Sequence, residues 1–235
     1  MGILPKSKGA FPDRNDFEIA ASMTPALTVG GDFYDFFLLD ENHIAILVAD
    51  VSDKGIPAAL FMTISKVFLK TRIENGGTPA EILKYADEQI SKENDAKMFV
   101  TLWLGVIDLK TGHVEACNAG HDYPAISKLS EGYKIEKTPH GPPIAFIPGM
   151  EFPELSFDLK PGESIFLYTD GLIEAKRKDN ERFGTDRMLE VLNSSADKNG
   201  EEILQTMKDS VNEFTEDEPQ FDDITMLLFT YKGRN

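Results

Sequence analysis

Four segments of the chain set aspartate at the edge of an apolar run: Gly-Gly-Asp-Phe-Tyr-Asp (Asp32, Asp35), Leu-Val-Ala-Asp-Val-Ser-Asp (Asp50, Asp53), Phe-Leu-Tyr-Thr-Asp-Gly (Asp170) and Phe-Asp-Asp-Ile-Thr-Met (Asp222, Asp223). Phe and Tyr favour strands and Asp is depleted in them, so these mixtures mark strand ends with a task. Burying an ionised carboxylate costs several kcal/mol unless something pairs it. The only basic residue in or directly beside the four segments is Lys54, which follows Asp53. Converging acids without basic partners need cations, and an all-oxygen ligand set selects hard ions such as Mg²⁺ or Mn²⁺. Two such ions about 3.5–4 Å apart, bridged by a carboxylate and a water, would make a nucleophile for phosphoryl hydrolysis at neutral pH. Any one Asp-Gly pair also reads as an ordinary turn; the conjunction of four segments carries the argument.

Other chemistries are poorly supported. His43, His113, His121 and His140 show no HxxxH or HExxH spacing, Ser52 is outside any GxSxG elbow, and no GxxxxGK[ST] or GxGxxG loop occurs. His121 reads as a histidine capping a turn. A net charge of -16, with 40 acids against 24 bases, argues against nucleic-acid binding. No run approaches the roughly 18 apolar residues of a membrane span. The single cysteine, Cys117, reads as a half-buried packing residue, which fits a reducing cytoplasmic setting.

The elements that must hold these residues follow from periodicity. Residues 1–16 lack it and read as a linker or truncated end, leaving one domain over 17–232. Strands are expected at FEIAASMTPA, DFYDFFLLD and IAILVADVS; the apolar run in the last suits a buried central strand. Ile56, Leu60, Ile64, Val67 and Phe68 share one face of a helix over 56–74 that ends at Gly76 and Gly77. Thr78, Pro79 and Glu81 cap a second helix with the buried stripe Ile82, Leu83, Ala86 and Ile90. A hairpin over MFVTLWLGVIDLKTG and HVEACNAG comes next, then short strands near 123–128, 133–137 and 163–169. The Pro-rich stretch EKTPHGPPIAFIPGMEFPE reads as an ordered loop, and helices near 185–193 and 200–215 precede a last strand, ITMLLFTY. Strands grouped with pairs of helices make the class α+β, most simply layered.

VGGDFYD, VADVSDKGIPAAL, NAGHDYP, YTDGLIEA and FDDITMLLF, in this order from about residue 17, closely resemble the sporulation stage II protein E branch of the PPM family of metal-dependent protein Ser/Thr phosphatases, a branch that includes sigma-factor regulators. The resemblance implies a four-layer α-β-β-α sandwich with two central antiparallel sheets. It also implies two Mn²⁺ or Mg²⁺ ions, with room for a third, and a water nucleophile attacking phosphoserine or phosphothreonine. Carried over to this sequence, Asp50 bridges both metals, the Val51 carbonyl binds one, Asp170 and Asp222 complete the pair, and Asp32 holds the second metal directly or through water. Gly30 and Gly31 let the chain turn beside the site, and Phe33, Tyr34, Phe36 and Phe37 pack the sheet. Asp35, Asp53 and Asp223 are second-layer or third-metal candidates, with turn or surface roles as the alternative.

The sequence departs from the wider family in having Ser52 where eukaryotic members carry a histidine, and in lacking their phosphate-clamping arginine, since Arg14 lies in the N-terminal stretch. The implied substrate is a phosphorylated STAS-type anti-anti-sigma protein. An N-terminal sensor domain or an activator protein would lie outside this chain, and the helices at 56–95 resemble a switch or dimerisation element. The GGDF stretch also resembles the GGDEF hairpin of diguanylate cyclases, but Phe33 replaces the Glu and the other four motifs go unexplained. A catalytically weak phosphoprotein-binding module on the same fold is the alternative from another class.

Overall fold

The computed structural model describes residues 3–92, 94–216 and 218–234. In chain order the elements are β1 (Phe17–Thr24), β2 (Phe33–Leu38), β3 (His43–Val51), α1 (Ile56–Glu74), α2 (Pro79–Ser91), β4 (Val100–Asp108), β5 (His113–Ala119), β6 (Ala125–Lys128), β7 (Gly132–Ile135), β8 (Glu154–Asp158), β9 (Ser164–Tyr168), α3 (Asp170–Ile173), α4 (Gly184–Ser194), α5 (Gly200–Thr215) and β10 (Ile224–Tyr231). The strands form two antiparallel sheets, ordered β1-β10-β9-β6-β7 and β2-β3-β4-β5-β8.

Side chains on successive strand residues point to opposite faces, and that alternation builds the layers. Ile44, Ile46 and Val48 of β3 join Tyr34, Phe36, Trp103, Leu227 and Phe229 in a core shared by the two sheets. Ala45, Leu47, Ala49 and Val51 face the other way, into a second core beneath α1 and α2. A third core lies between the first sheet and α4 and α5, through Phe166, Met188, Leu192, Leu204 and Met207. The result is the expected α-β-β-α sandwich. Burying each large apolar side chain of the middle layer contributes roughly 1.5–3 kcal/mol, so a few of them offset the repulsion among carboxylates at one end.

Several expectations change in detail. The helix over 56–74 is present, but it turns Ala58, Met62, Ser65, Leu69 and Ile73 inward, while Ile56, Leu60, Ile64 and Val67 are 51–71% exposed. α1 is apolar nearly all round, so its periodicity could not say which stripe faces the core. α2 carries the expected capping box from Thr78 and Glu81. The Pro-rich loop closes with β8, an edge strand the sequence did not signal, and Asp87 of α2 ties the loop by accepting from the Ala145 and Gly149 N–H groups. Residues 3–16, read as a linker, lie against the domain: Tyr34 donates to the Pro5 carbonyl, and Leu4, Ala10 and Phe11 pack on the cores. Cys117 is fully buried, which pushes its thiol up to about 12 and leaves it inert.

Candidate metal centre

β2 and β3 pair with Phe33 opposite Ala49, so one step further Asp32 stands opposite Asp50. Asp32 continues the inward series of Tyr34 and Phe36, and Asp50 that of Ile44, Ile46 and Val48, so both carboxylates enter the space between the sheets at one end. From the other sheet, β9 ends at Tyr168 and passes through Thr169 into Asp170, the first residue of α3, while Asp222 and Asp223 lead into β10 beside it. Four segments distant in sequence thus meet at the mouth of the sandwich.

Thr169 joins the two sheets. Its hydroxyl donates to Asp32 Oδ2 at 2.6 Å and accepts from the Thr225 N–H at 3.0 Å. Asp223 fixes the glycine turn: its carboxylate accepts from the N–H groups of Ala26 and Gly31, both at 2.8 Å. Two glycines are required by close approach. A Cβ on Gly30 would lie 2.4 Å from Asp223 Oδ2, and one on Gly171 would lie 2.0 Å from the Asp223 carbonyl oxygen.

The charges are out of balance. Asp32 is 2% exposed, and burial, then the neighbouring Asp50, raises it well above the usual carboxylate range. Asp50 is pushed up to about 7, chiefly by burial and also by Asp170, Asp222 and Asp223. Burial, then Asp222 and Glu174, raises Asp170. Such mutual repulsion is relieved by protons or by cations. The donor set of Asp32, Asp50, Asp170, Asp222 and the Val51 carbonyl is all oxygen, which fits hard divalent ions. Among the described residues no three acid, imidazole or thiol side chains are drawn in as tightly as a finished ligand shell. Instead, Asp32 and Asp50 hydrogen-bond to each other, and Lys54 Nζ sits 2.7 Å from Asp222 Oδ2. The donors fit in chemistry and common location; the side chains would close further around an ion.

The three remaining candidates have other duties. Asp35 points to the helix side of the second sheet and pairs with Lys66 of α1. Asp53 is exposed in the turn after β3, at φ 69°. Asp223 is committed to the Ala26 and Gly31 amides. Arg14 pairs with Asp16 and donates to the Glu41 carbonyl in the β2–β3 turn, the end of that hairpin away from Asp32 and Asp50.

A cleft of about 340 Å³ opens onto the centre, lined by Asp50, Thr101, His121, Asp122, His140 and Asp170, with Glu174 at its edge. Asp122 and Glu174 were missed in the sequence. Asp122 stands next to His121 in the Asn-Ala-Gly-His-Asp stretch, and Glu174 lies four residues after Asp170, one helical turn away. Burial, then Asp170 and Glu174, pushes Asp122 up to about 6. His121 is a turn residue, as read: its N–H donates to Asn118 Oδ1, its carbonyl accepts from Asn118 Nδ2, and its ring meets Thr101 Oγ1 at 2.9 Å. Burial lowers the imidazole to about 4, so it is neutral. A larger cavity of about 810 Å³ lies under residues 3–8, against β1 and α1, and meets the centre only at Asp32.

A family model described as Stage II sporulation protein E matches residues 40–232. The chain belongs to that family. Protein IcfG of Synechocystis sp. is 33% identical over 93% of this chain and 38% of its own length. Phosphoserine phosphatase RsbU of Bacillus subtilis is 26% identical over 94% of this chain and 65% of its own length. The chain therefore spans less than two thirds of either curated relative. Among solved structures, the SiaA-PP2C domain of Pseudomonas aeruginosa aligns with a TM-score of 0.83 at 24% identity, covering 97% of this chain and 90% of that one. The paired five-stranded sheets of this stage II sporulation protein E domain are the PP2C phosphatase fold.

Proposed function

We propose that the domain is a metal-dependent phosphatase that hydrolyses phosphoserine or phosphothreonine on a regulatory protein. The observation that carries this is the meeting of Asp32, Asp50, Asp170 and Asp222, two from each sheet, at one end of the sandwich without enough basic partners, with Asp50 and Asp170 lining the cleft that opens there. Asp50 and the Val51 carbonyl, with Asp170, Asp222 and Asp32, would hold two Mn²⁺ or Mg²⁺ ions. The ions would supply Lewis acidity, activating a water and drawing charge from the phosphoryl oxygens. The chain's own groups shape the rest. Thr169 orients Asp32, Asp223 fixes the turn that carries it, and Asp122 and Glu174 line the opening where a phosphorylated side chain would enter.

The substrate class we infer is a phosphorylated STAS-type anti-anti-sigma protein. The family membership supports this, as does the phosphoserine phosphatase named among the relatives. The same reading places the domain in the cytoplasm under an N-terminal sensor or an activator protein. No helix among the described residues is long and apolar enough to cross a membrane. The exposed stripe Ile56, Leu60, Ile64 and Val67 supports pairing of two copies through α1.

Hydrolysis of p-nitrophenyl phosphate with Mn²⁺, with and without chelator, beside Asp170→Asn, tests the proposal. Turnover that requires metal and disappears in a folded Asp170→Asn protein is the expected result. A wild-type domain that binds Mn²⁺ in calorimetry yet turns over neither this ester nor a phosphorylated STAS protein would refute it in favour of a binding module.

A further inference from the structure

Among the described residues, one basic side chain is bonded to the four candidate metal-binding aspartates, and three contacts hold it. Lys54 Nζ lies 2.7 Å from Asp222 Oδ2, donates to the Phe221 carbonyl at 2.6 Å, and sits 4.0 Å from the centroid of the Phe221 ring. Lys176 Nζ lies 4.9 Å from the same centroid, adding a second positive charge at the rim. A lysine stem is ordinarily free to sample many rotamers, and fixing it costs entropy. An ion pair as open as this one, with side chains 38% and 29% exposed, returns only about 0–1 kcal/mol. Stability alone is a weak reason to pin an ammonium here.

The electrostatics supply a better one. A phosphate ester approaching this cleft meets Asp50, Asp122, Asp170 and Glu174, with Asp222 acting on Asp170 from beside it, and of these cleft acids only Glu174 has a basic partner among the described residues, Arg182. An ammonium has three N–H donors. Asp222 and the Phe221 carbonyl take two of those of Lys54, and the head is open to solvent. The Phe221 carbonyl and ring also hold the ammonium independently of Asp222, so it keeps its place whichever way that carboxylate turns. Phe221 is itself 61% exposed, so the clamp lies at the surface, and Lys54 is close enough to Asp170, a residue of the cleft, to act on its charge.

We propose that Lys54 binds a phosphoryl oxygen of the substrate and of the product phosphate, with Phe221 as the residue that positions its ammonium. This inference rests on the phosphatase reading for its substrate, though anion binding at Lys54 can be measured without turnover. The test is calorimetric titration of inorganic phosphate into the Mn²⁺-loaded wild type, Lys54→Met and Lys54→Arg, with Mn²⁺ affinity and p-nitrophenyl phosphate kinetics measured on the same preparations. Loss of a charged hydrogen bond should weaken phosphate binding about tenfold or more in Lys54→Met. KM should rise and Mn²⁺ affinity should not fall, since an ammonium competes with a cation for Asp222; Lys54→Arg should recover most of the phosphate affinity. Equal phosphate affinity in wild type and Lys54→Met, no phosphate binding by the wild type, or a loss that follows weakened Mn²⁺ binding would overturn the proposal. If the wild type turns nothing over while Lys54→Met still loses phosphate affinity, the phosphatase reading fails and the anion site stands. Turnover with unchanged phosphate affinity has the opposite meaning.

Discussion

Asp222 and Asp223 are neighbours with opposite consequences when removed. Asp223 is 8% exposed and accepts from the Ala26 and Gly31 amides at 2.8 Å, with the Asp32 amide further off at 3.4 Å. Asp223→Ala strands the two close donors at roughly 1.5–3 kcal/mol each, the cost of an unmade bond to a charged acceptor. Relief of repulsion against Asp50 returns part of this, leaving a net loss of about 2–4 kcal/mol by the same bookkeeping. Asp222→Ala removes only the open pair with Lys54 and a bond from the Asp223 N–H, and it lightens the acid cluster. Its stability should change by less than about 1 kcal/mol. Urea unfolding in excess chelator separates the two, because no metal linkage then contributes to stability. Mn²⁺ calorimetry should show the reverse order at fixed temperature well below unfolding: Asp222→Ala loses an ion outright, and Asp223→Ala weakens binding through the displaced Asp32. An Asp223→Ala protein within about 1 kcal/mol of wild type, or an Asp222→Ala protein as unstable as Asp223→Ala, would refute the division between tether and ligand.

Gly171→Ala should be strongly destabilising, by about 3 kcal/mol or more, because its Cβ would meet the Asp223 carbonyl 2.0 Å away in backbone that cannot step aside; an unchanged melting temperature would refute that contact. His121 is held neutral down to about pH 4, whereas the unfolded chain protonates it near its ordinary 6.5. Its folded value is depressed, so protons favour the unfolded state, and its contribution disappears as pH falls from 6.5 to 4. The stability difference between wild type and His121→Asn should therefore shift by about 3 kcal/mol against the wild type between pH 7 and pH 4, and a flat difference would contradict the burial. The double variant Ile64→Glu, Val67→Glu sits on exposed positions; it should keep its stability within about 1 kcal/mol and run as a monomer in light scattering, whereas the proposed pairing through α1 requires the wild type to run as a dimer.

The parts of the fold that the sequence made legible are those with a strong apolar pattern. β2, β3 and β4 follow from apolar runs bounded by turn residues, β5 from its alternation, and α2 and α5 from one apolar stripe each. α1 defeats the method because both of its faces are apolar: Met62 and Leu69 pack inward while Leu60 and Ile64 do not. β8 eludes it because its alternation of Glu, Leu, Ser, Phe and Asp is only five residues long and runs straight on from the Pro-rich stretch. At the site, aspartates interrupting apolar runs stand out, and the structure brings Asp32, Asp50, Asp170 and Asp222 to one place. Spacing along the chain could not separate these from Asp35 or Asp223. Asp35 is claimed by Lys66, more than thirty positions on, and Asp223 by amides almost two hundred positions back. Asp122 and Glu174 carried only weak local signals, since the cleft that gives them meaning is assembled from several segments.

The Thr169 hydroxyl, reaching from the end of one sheet to the Asp32 carboxylate of the other, has a consequence for the folding reaction. Neither sheet owns a complete site, and the strands that contribute to it are joined through contacts between the two ends of the chain. Contacts so distant in sequence form late, after most of the loop-closure entropy has been lost. A half-assembled chain would hold helices and hairpins but not the proposed metal centre, so the proposed activity would wait on complete folding. On heating, metal binding should vanish with the near-ultraviolet signal of Trp103, which packs in the core shared by the two sheets.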